Sequence, residues 1–341
     1  MSAPHAPPSS AATVDPADAR WFPFDLDLAK DHVRFLHVAP AVLDASVFLD
    51  HRIALAERRP VDVARDALAL PPPATPAWLF HTSFCCSTLL ARVLHVAPAV
   101  EVLREPFALR RLADAANAGV DVAPWIDPVV RLLARPWHAG ATTVVKPTHV
   151  ALNIGPALLA AAPAAQAVLL HAHLSDFVVS NLKKPDDTKD KVGRLAARLA
   201  ADAGLPAEWP AQAGARAGWA GLVAAQWLAT LVLAARVLDA GGSRVLLLRD
   251  AELLADLPGQ AARVAGHLAL PVDAAQVAAH ATTEGARHAK APEVAYDAAL
   301  RDRESAMLRA RFQPLLDAAL DWAREEAPRV LPVGPLLDAV A

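Results

Sequence analysis

Six consecutive residues, Ser83, Phe84, Cys85, Cys86, Ser87 and Thr88, sit in the stretch AWLFHTSFCCSTLL between an apolar run and a helical pattern. Small side chains and hydroxyls at the start of a helix suit an anion. The first turn offers unpaired N–H groups and a partial positive charge, and hydroxyls add donors. Ser87 has a second reading, as the cap of that helix. The stretch contains no glycine, lysine or arginine, so the GxxxxGK[ST] pattern fails at both Gly and Lys.

Five other positions carry groups able to do chemistry. In LREPF, Glu105 is a candidate general base, held between Arg104 and Pro106; it also reads as a first-turn glutamate on a helix dipole. In VVKPTH, Lys146 could neutralise an anionic group in transfer and His149 could take a proton from a hydroxyl. The plain alternative is a loop lysine and a surface histidine. In HAHLSDFVVSNLKK, Asp176 and Ser180 share one helix face. Asp176 would help cap the helix and Ser180 could reach a phosphate, with Lys183 and Lys184 as nearby charge or a solvated face. In LLLRDAELL, Asp250 after Arg249 reads best as a helix cap. In RHAK, Arg287 and Lys290 could close over a bound anion or simply face water.

The pattern that must position these groups is strand, turn, helix, repeated. AWLFHT, AVEVLRE, TTVVK, QAVLLHA and SRVLLLRD are short apolar runs. Each is followed by a helical segment. This predicts an α/β fold, a parallel sheet of about five strands covered on both faces. Right-handed crossovers then bring every strand's C-terminal end to one edge, where such sheets bind ligands. All the candidate positions lie just after a strand or in the late RHAK loop. Long helices are expected over about 215–240, 252–268, 273–281 and 299–324.

Ahead of the sheet, residues 1–20 read as a frayed tail. Residues 21–76 form an N-terminal extension, with helical spacing in AVLDASVFLDHRIAL and a Pro-rich connector, PPPATP. The main domain is expected over 77–300 and a C-terminal helical segment over 301–341. The 341 residues carry 33 basic and 36 acidic side chains, net −3. No basic excess points to nucleic acid, so an anionic ligand needs a local basic pocket. Mean hydropathy is +0.27, but charged residues, Gln or Pro interrupt each apolar run before the roughly 18 residues of a membrane span. Gly221 to Leu238 reads as a buried helix. The N-terminus has neither a basic region nor an apolar core, so it is not read as a secretory signal. Cys85 and Cys86 are the two cysteines. They suit neither a disulfide framework nor a zinc site, and a reducing cytoplasm is the expected compartment.

Taken in order, these elements resemble the sulfotransferase superfamily, which has a P-loop-type α/β fold. FHTSFCCSTLL stands where that family keeps its 5′-phosphosulfate loop, REPF where some members keep an acidic base, and VVKPTH where others keep a Lys-Thr-His segment. LSDFVVS is similar to the family's RxPxDxxxS segment, RVLLLRDAELLADLPGQ to its fifth-strand stretch, and RHAK to its late basic loop. The likeness covers about residues 77–290. It implies transfer of a sulfuryl group from 3′-phosphoadenosine-5′-phosphosulfate (PAPS), without a metal, to a hydroxyl or amine of a small molecule, peptide or glycan. The implied roles are Ser83 to Thr88 for the 5′-phosphosulfate and Ser180 for the 3′-phosphate. His173 or His171 would stand in for a missing Arg, and Arg287 and Lys290 would lie on the nucleotide. Lys146 would steady the leaving oxygen, with Glu105 as base and His149 as its rival. Two family cations are absent: Phe84 and Ala172 occupy their places, and Lys146, Arg104, Arg287 and Lys290 are the candidates to compensate. A kinase or NTPase lacking the Walker lysine, and a non-catalytic anion-binding protein, are the alternatives.

Overall fold

The computed structural model describes residues 13–53, 59–295, 298–332, 334–338 and 340. Residues 1–12 of the expected tail and 54–58 of the expected N-terminal helix lie outside the described residues. The chain is an α/β protein built on a five-stranded parallel sheet. Its strands are β4 (Ala77–His81), β5 (Val100–Arg104), β6 (Thr142–Lys146), β7 (Ala167–His171) and β8 (Val245–Arg249). They lie in the order β5-β6-β4-β7-β8. An N-terminal antiparallel sheet contains β1 (Trp21–Asp27), β2 (His32–His37) and β3 (Val61–Ala64), and a late hairpin contains β9 (Arg287–His288) and β10 (Ala291–Ala295).

The central strands form where apolar side chains run without a break, because both faces are covered. Along β4, Trp78 and Phe80 enter one core, with the helices at 107–117, 123–133, 155–161 and 209–241. Ala77 and Leu79 enter the other, with the helices at 87–93, 257–267 and 274–285. This is period-two alternation in a strand buried on both sides. The result is three layers, helix on sheet on helix.

The sheet order makes a crevice. The connection from β4 leaves toward β5 and the one from β7 leaves toward β8, so loops diverge at the C-terminal edge. The β4–β6 ladder also stops early, after Ala77↔Val144 and Trp78↔Val145. Beyond those pairs the strand ends separate, leaving room between the loop after β4 and the ends of β5 and β6.

Several elements differ from expectation. Residues 21–37 form a hairpin rather than lone apolar stretches, and helix is confined to Pro40–Ala45 where a longer one was expected. Phe22, Phe24, Leu26 and Phe35 pack in the same core as Leu109 and Val129. The ordered chain also begins before Trp21. Arg135 donates to the carbonyls of Pro16 and Asp18 at 2.7 and 2.8 Å, and Ala19 is buried. The long helix spans Trp209–Gly241, with a kink at Ala217 and Gly218, where φ is +56° and glycine removes the steric cost. By length and composition it could cross a membrane, but 83% of its most apolar window is buried inside the protein. The helix expected over 252–268 breaks at Asp256, whose carboxylate caps the next helix through the Gly259 N–H. The last helix breaks at Phe312, one residue before the Gln-Pro start of helix Gln313–Val330.

Asp250 does not cap its helix; Arg249 holds that position without a side-chain bond. The Asp250 side chain is buried, and its Oδ1 lacks a hydrogen-bond partner among the described residues. Burial pushes the carboxyl up to about 7, helped by the charge of Asp176. The folded state therefore holds a proton that the unfolded chain releases near pH 4, and stability falls as pH rises from 4 to 7. Asp250→Asn should remove this loss. Its melting temperature should match wild type near pH 4 and exceed it increasingly toward pH 7, by up to about 4 kcal/mol of stability. A difference independent of pH would refute this account.

Candidate functional site

At the crevice lies a cavity of about 400 Å³. Its floor is the loop after β4. Ser83, Phe84 and Cys86 have φ of 72°, 50° and 60°, a left-handed region that L residues enter at about 1–2 kcal/mol each. A loop without glycine avoids this region unless strain is tolerated, and here the chain accepts the strain. Backbone N–H groups in such mixed-handed turns converge on a concavity that suits anions. Ser87 and Thr88, both buried, begin helix Ser87–Val93 and line the same cavity. Ser87 is not the cap: Cys86 holds that position and no side chain bonds the first turn.

The cysteines do not supply a nucleophile. Burial pushes the Cys85 thiol up to about 12 and the Cys86 thiol up to about 11, so neither is a thiolate near neutral pH. Cys85 donates to the Leu170 carbonyl at 3.4 Å, tying loop to β7. Cys86 can be tested by substitution. Cys86→Gly should change stability by less than about 1 kcal/mol, because relief of the left-handed strain offsets glycine's added unfolded-state freedom. Cys86→Val should cost about 2 kcal/mol or more, since a β-branched residue fits φ near +60° poorly. Urea denaturation measures both, and a Val variant as stable as wild type would contradict the strained turn.

The ends of β5 and β6 form the opposite wall. Lys146 is 1% exposed, and its Nζ donates to Glu105 Oε1 at 2.6 Å. The Glu105 N–H in turn donates to the Lys146 carbonyl at 2.7 Å. Glu105 itself sits at φ 55°, a strained placement of the kind found where a side chain must be aimed. Lys146 was expected either as a plain loop lysine or as a cation steadying a leaving oxygen; it ends a buried strand and grips the carboxylate. His149 lines the cavity, and its buried Nε2 has no hydrogen-bond partner among the described residues. Burial lowers its pKa to about 4, so the ring is neutral and able to accept a proton at pH 7.

His81, the last residue of β4, was given no role from the sequence beyond its place at the sheet edge. Its Nδ1 accepts the Ser83 N–H at 3.1 Å. That assigns the ring proton to Nε2 in the neutral form, and burial, with the charge of Lys146, holds the ring neutral. Nε2 lies 3.9 Å from Glu105 Oε1 and has no hydrogen-bond partner among the described residues. It is a buried donor facing the same space as Lys146 and Glu105.

Cations come from elsewhere in the chain. Arg287 and Lys290 from the β9–β10 hairpin, Arg301 from helix Ala298–Arg311, and Arg52 from the N-terminal extension all line the cavity. Lys290 lies 6.0 Å from the Phe48 ring centroid, and Lys146 5.9 Å from the same ring. Phe84 meets Phe177 edge-on at 5.2 Å and carries the Lys184 ammonium 5.3 Å above its ring. Ser180 lines the cavity as expected. His173 does not: its Nδ1 accepts the Ser175 N–H as the cap of helix Leu174–Leu182. That is the cap expected of Asp176, which pairs with Arg309 instead. Arg104 is not a site cation either. It is buried, and its Nη2 donates to the carbonyls of Leu43 and Asp44 at 2.7 and 3.1 Å.

The fold and cavity define a layered α/β protein with a cavity at the C-terminal edge of a parallel sheet. No protein-family model and no curated protein matches the sequence. Among solved structures the chain is similar to a sulfotransferase from Alicyclobacillus acidocaldarius. The two are 14% identical with a TM-score of 0.38, over 74% of this chain and 96% of the other. At that level the likeness carries no argument about activity, and the chemistry rests on this chain's own residues.

Proposed function

We propose that the protein is a sulfotransferase that uses PAPS as donor and a hydroxyl or amine as acceptor. One observation carries this reading. A single cavity joins the Ser83–Thr88 cradle, Glu105 and His149, with Lys146 bonded to Glu105 from behind, and the basic residues Arg52, Arg287, Lys290 and Arg301. The residues fit an anionic nucleotide. The loop N–H groups with Ser87 and Thr88 would hold its 5′ end, Ser180 would reach the 3′-phosphate, and the four cations would offset its charge. They take the place of the cations that the loop itself lacks.

The donor supplies the sulfuryl group. Lys146 orients Glu105 by bonding Oε1, which leaves Oε2 to take the proton from the acceptor. His149, held neutral, is the second candidate base. His81 Nε2–H, itself buried, adds a donor beside them. No Walker lysine is present to support a kinase or NTPase reading.

Isothermal titration with 3′-phosphoadenosine 5′-phosphate tests the donor. Saturable binding with a Kd below about 1 mM, beyond about −4 kcal/mol, is the expected result. No heat at millimolar nucleotide would sink the PAPS reading, and binding without transfer to a broad acceptor panel would favour a non-catalytic anion-binding protein.

A further inference from the structure

A second cavity, of about 640 Å³, adjoins the first and shares three of its residues, Arg52, Glu105 and Thr148. We propose that the acceptor enters through this second cavity and is an uncharged polyhydroxylated molecule, a sugar or similar polyol. The proposal rests on the transferase reading above and adds the acceptor's route and chemical class.

The route follows from Glu105. Its side chain lines both cavities, so a group bound in the second can present a hydroxyl to the carboxylate while a donor fills the first. A third cavity, also about 640 Å³, borders Phe48, Arg52 and Lys290 and is walled by Ala41, Val42, Ala45 and Val47. Neither Glu105 nor His149 lines it. An apolar acceptor seated there would not meet a base.

The class follows from how the walls are charged. Arg52 Nε donates to Asp50 at 2.8 Å, Arg110 Nε donates to Asp114 at 2.8 Å, and Lys191 lies 3.5 Å from Asp187. Each of these charges already has an opposite partner, so the wall offers an ionic acceptor no unbalanced charge to meet. A carboxylate has about four lone-pair sites and a guanidinium five N–H donors, so a single pairing leaves capacity on both. Thr148 and Thr188 add hydroxyls. This mixture of donors and acceptors matches hydroxyl groups, which both give and take hydrogen bonds. Of the described residues lining the cavity, Phe107 alone is apolar, enough for one carbon face of a ring and little more.

Saturation-transfer NMR on the full chain tests this without needing turnover. The probes are methyl α-D-glucoside and cellobiose, against glucosamine, glucuronate, phenol and n-hexanol, each with and without 3′-phosphoadenosine 5′-phosphate. Saturable binding of the neutral sugars is expected, and Thr188→Val and Arg110→Gln should each weaken it about tenfold, the loss of one hydrogen-bonding partner. Nucleotide affinity should stay within about twofold of wild type, because neither residue lines the first cavity. Failure of the neutral sugars to bind would overturn the proposal. So would preference for phenol, hexanol or a charged sugar, or sugar binding that both variants leave unchanged. Absence of nucleotide binding strikes the donor reading alone, since sugar binding is read separately.

Discussion

Glu105→Gln should slow sulfuryl transfer by about 10²- to 10⁴-fold, the range that a positioned general base contributes, while nucleotide affinity stays within about twofold. The amide oxygen can still accept from Lys146, so the buried ammonium keeps a partner and the fold survives. Glu105→Ala is a different experiment. It leaves Lys146, 1% exposed, as an unpaired buried charge, and breaking such a pair costs about 3–5 kcal/mol. Steady-state kinetics and urea denaturation on the two variants separate the roles. The Gln variant should lose rate with only part of the stability loss, since its amide bonds Lys146 without neutralising it, and the Ala variant should lose both in full. Full activity in Glu105→Gln would move the base to His149, where His149→Ala becomes the decisive measurement.

The double variant Arg287→Ala/Lys290→Ala should weaken 3′-phosphoadenosine 5′-phosphate binding by about 10²- to 10⁴-fold. Each charge-assisted contact is worth about 1.5–3 kcal/mol, and each 1.4 kcal/mol is about tenfold in Kd. The loop after β4 has no cation of its own, so the hairpin supplies much of the charge. Burial, reinforced by the nearby Lys184 charge, lowers the Lys290 pKa; a bound anion would oppose that shift. Wild-type affinity should therefore fall as pH rises through the Lys290 pKa, and the double variant should lose that part of the dependence. Calorimetry across pH reads both effects. Unchanged affinity in the double variant would leave the cavity without its anion-binding rationale. Arg287 also lies 3.5 Å from Glu284, a pair that an incoming anion must compete with.

The central sheet was the most legible part of the chain. TTVVK spans β6 residue for residue, and the other four runs overlap their strands to within two residues at either end. Continuous apolar runs of β-branched and leucine residues have one comfortable home, a strand covered on both faces. The edge of the sheet was legible for the same reason, since Glu105 directly follows β5, Lys146 ends β6 and His149 lies three residues past it. What the sequence hid were relations across long separations. Nothing local in VVKPTH distinguishes a buried Lys146 gripping Glu105 from a loop lysine. The left-handed backbone at Ser83, Phe84 and Cys86 was masked because these residues disfavour it, and the surrounding packing overrides that preference. The N-terminal hairpin escaped notice because Pro23 and Asp25 interrupt its alternation; Asp25 is buried only because Arg111 pairs with it. Phe48 and Arg52 reach the cavity through tertiary packing that no motif records.

The segment around Leu49 lies across the end of β5. The Leu49 N–H donates to the Arg104 carbonyl at 2.7 Å, and the Phe107 N–H donates to the Leu49 carbonyl at 3.1 Å. On the ribosome this segment is made well before either partner, and the β9–β10 hairpin that closes the other side of the cavity is made after all five central strands. Long-range contacts of this kind form late. A nascent chain halted before residue 287 would possess all five central strands and the whole carboxylate wall, yet lack Arg287 and Lys290. Synthesis through this hairpin is thus built into the chemistry: a chain that stops short of it can acquire its sheet but not its full complement of cavity cations.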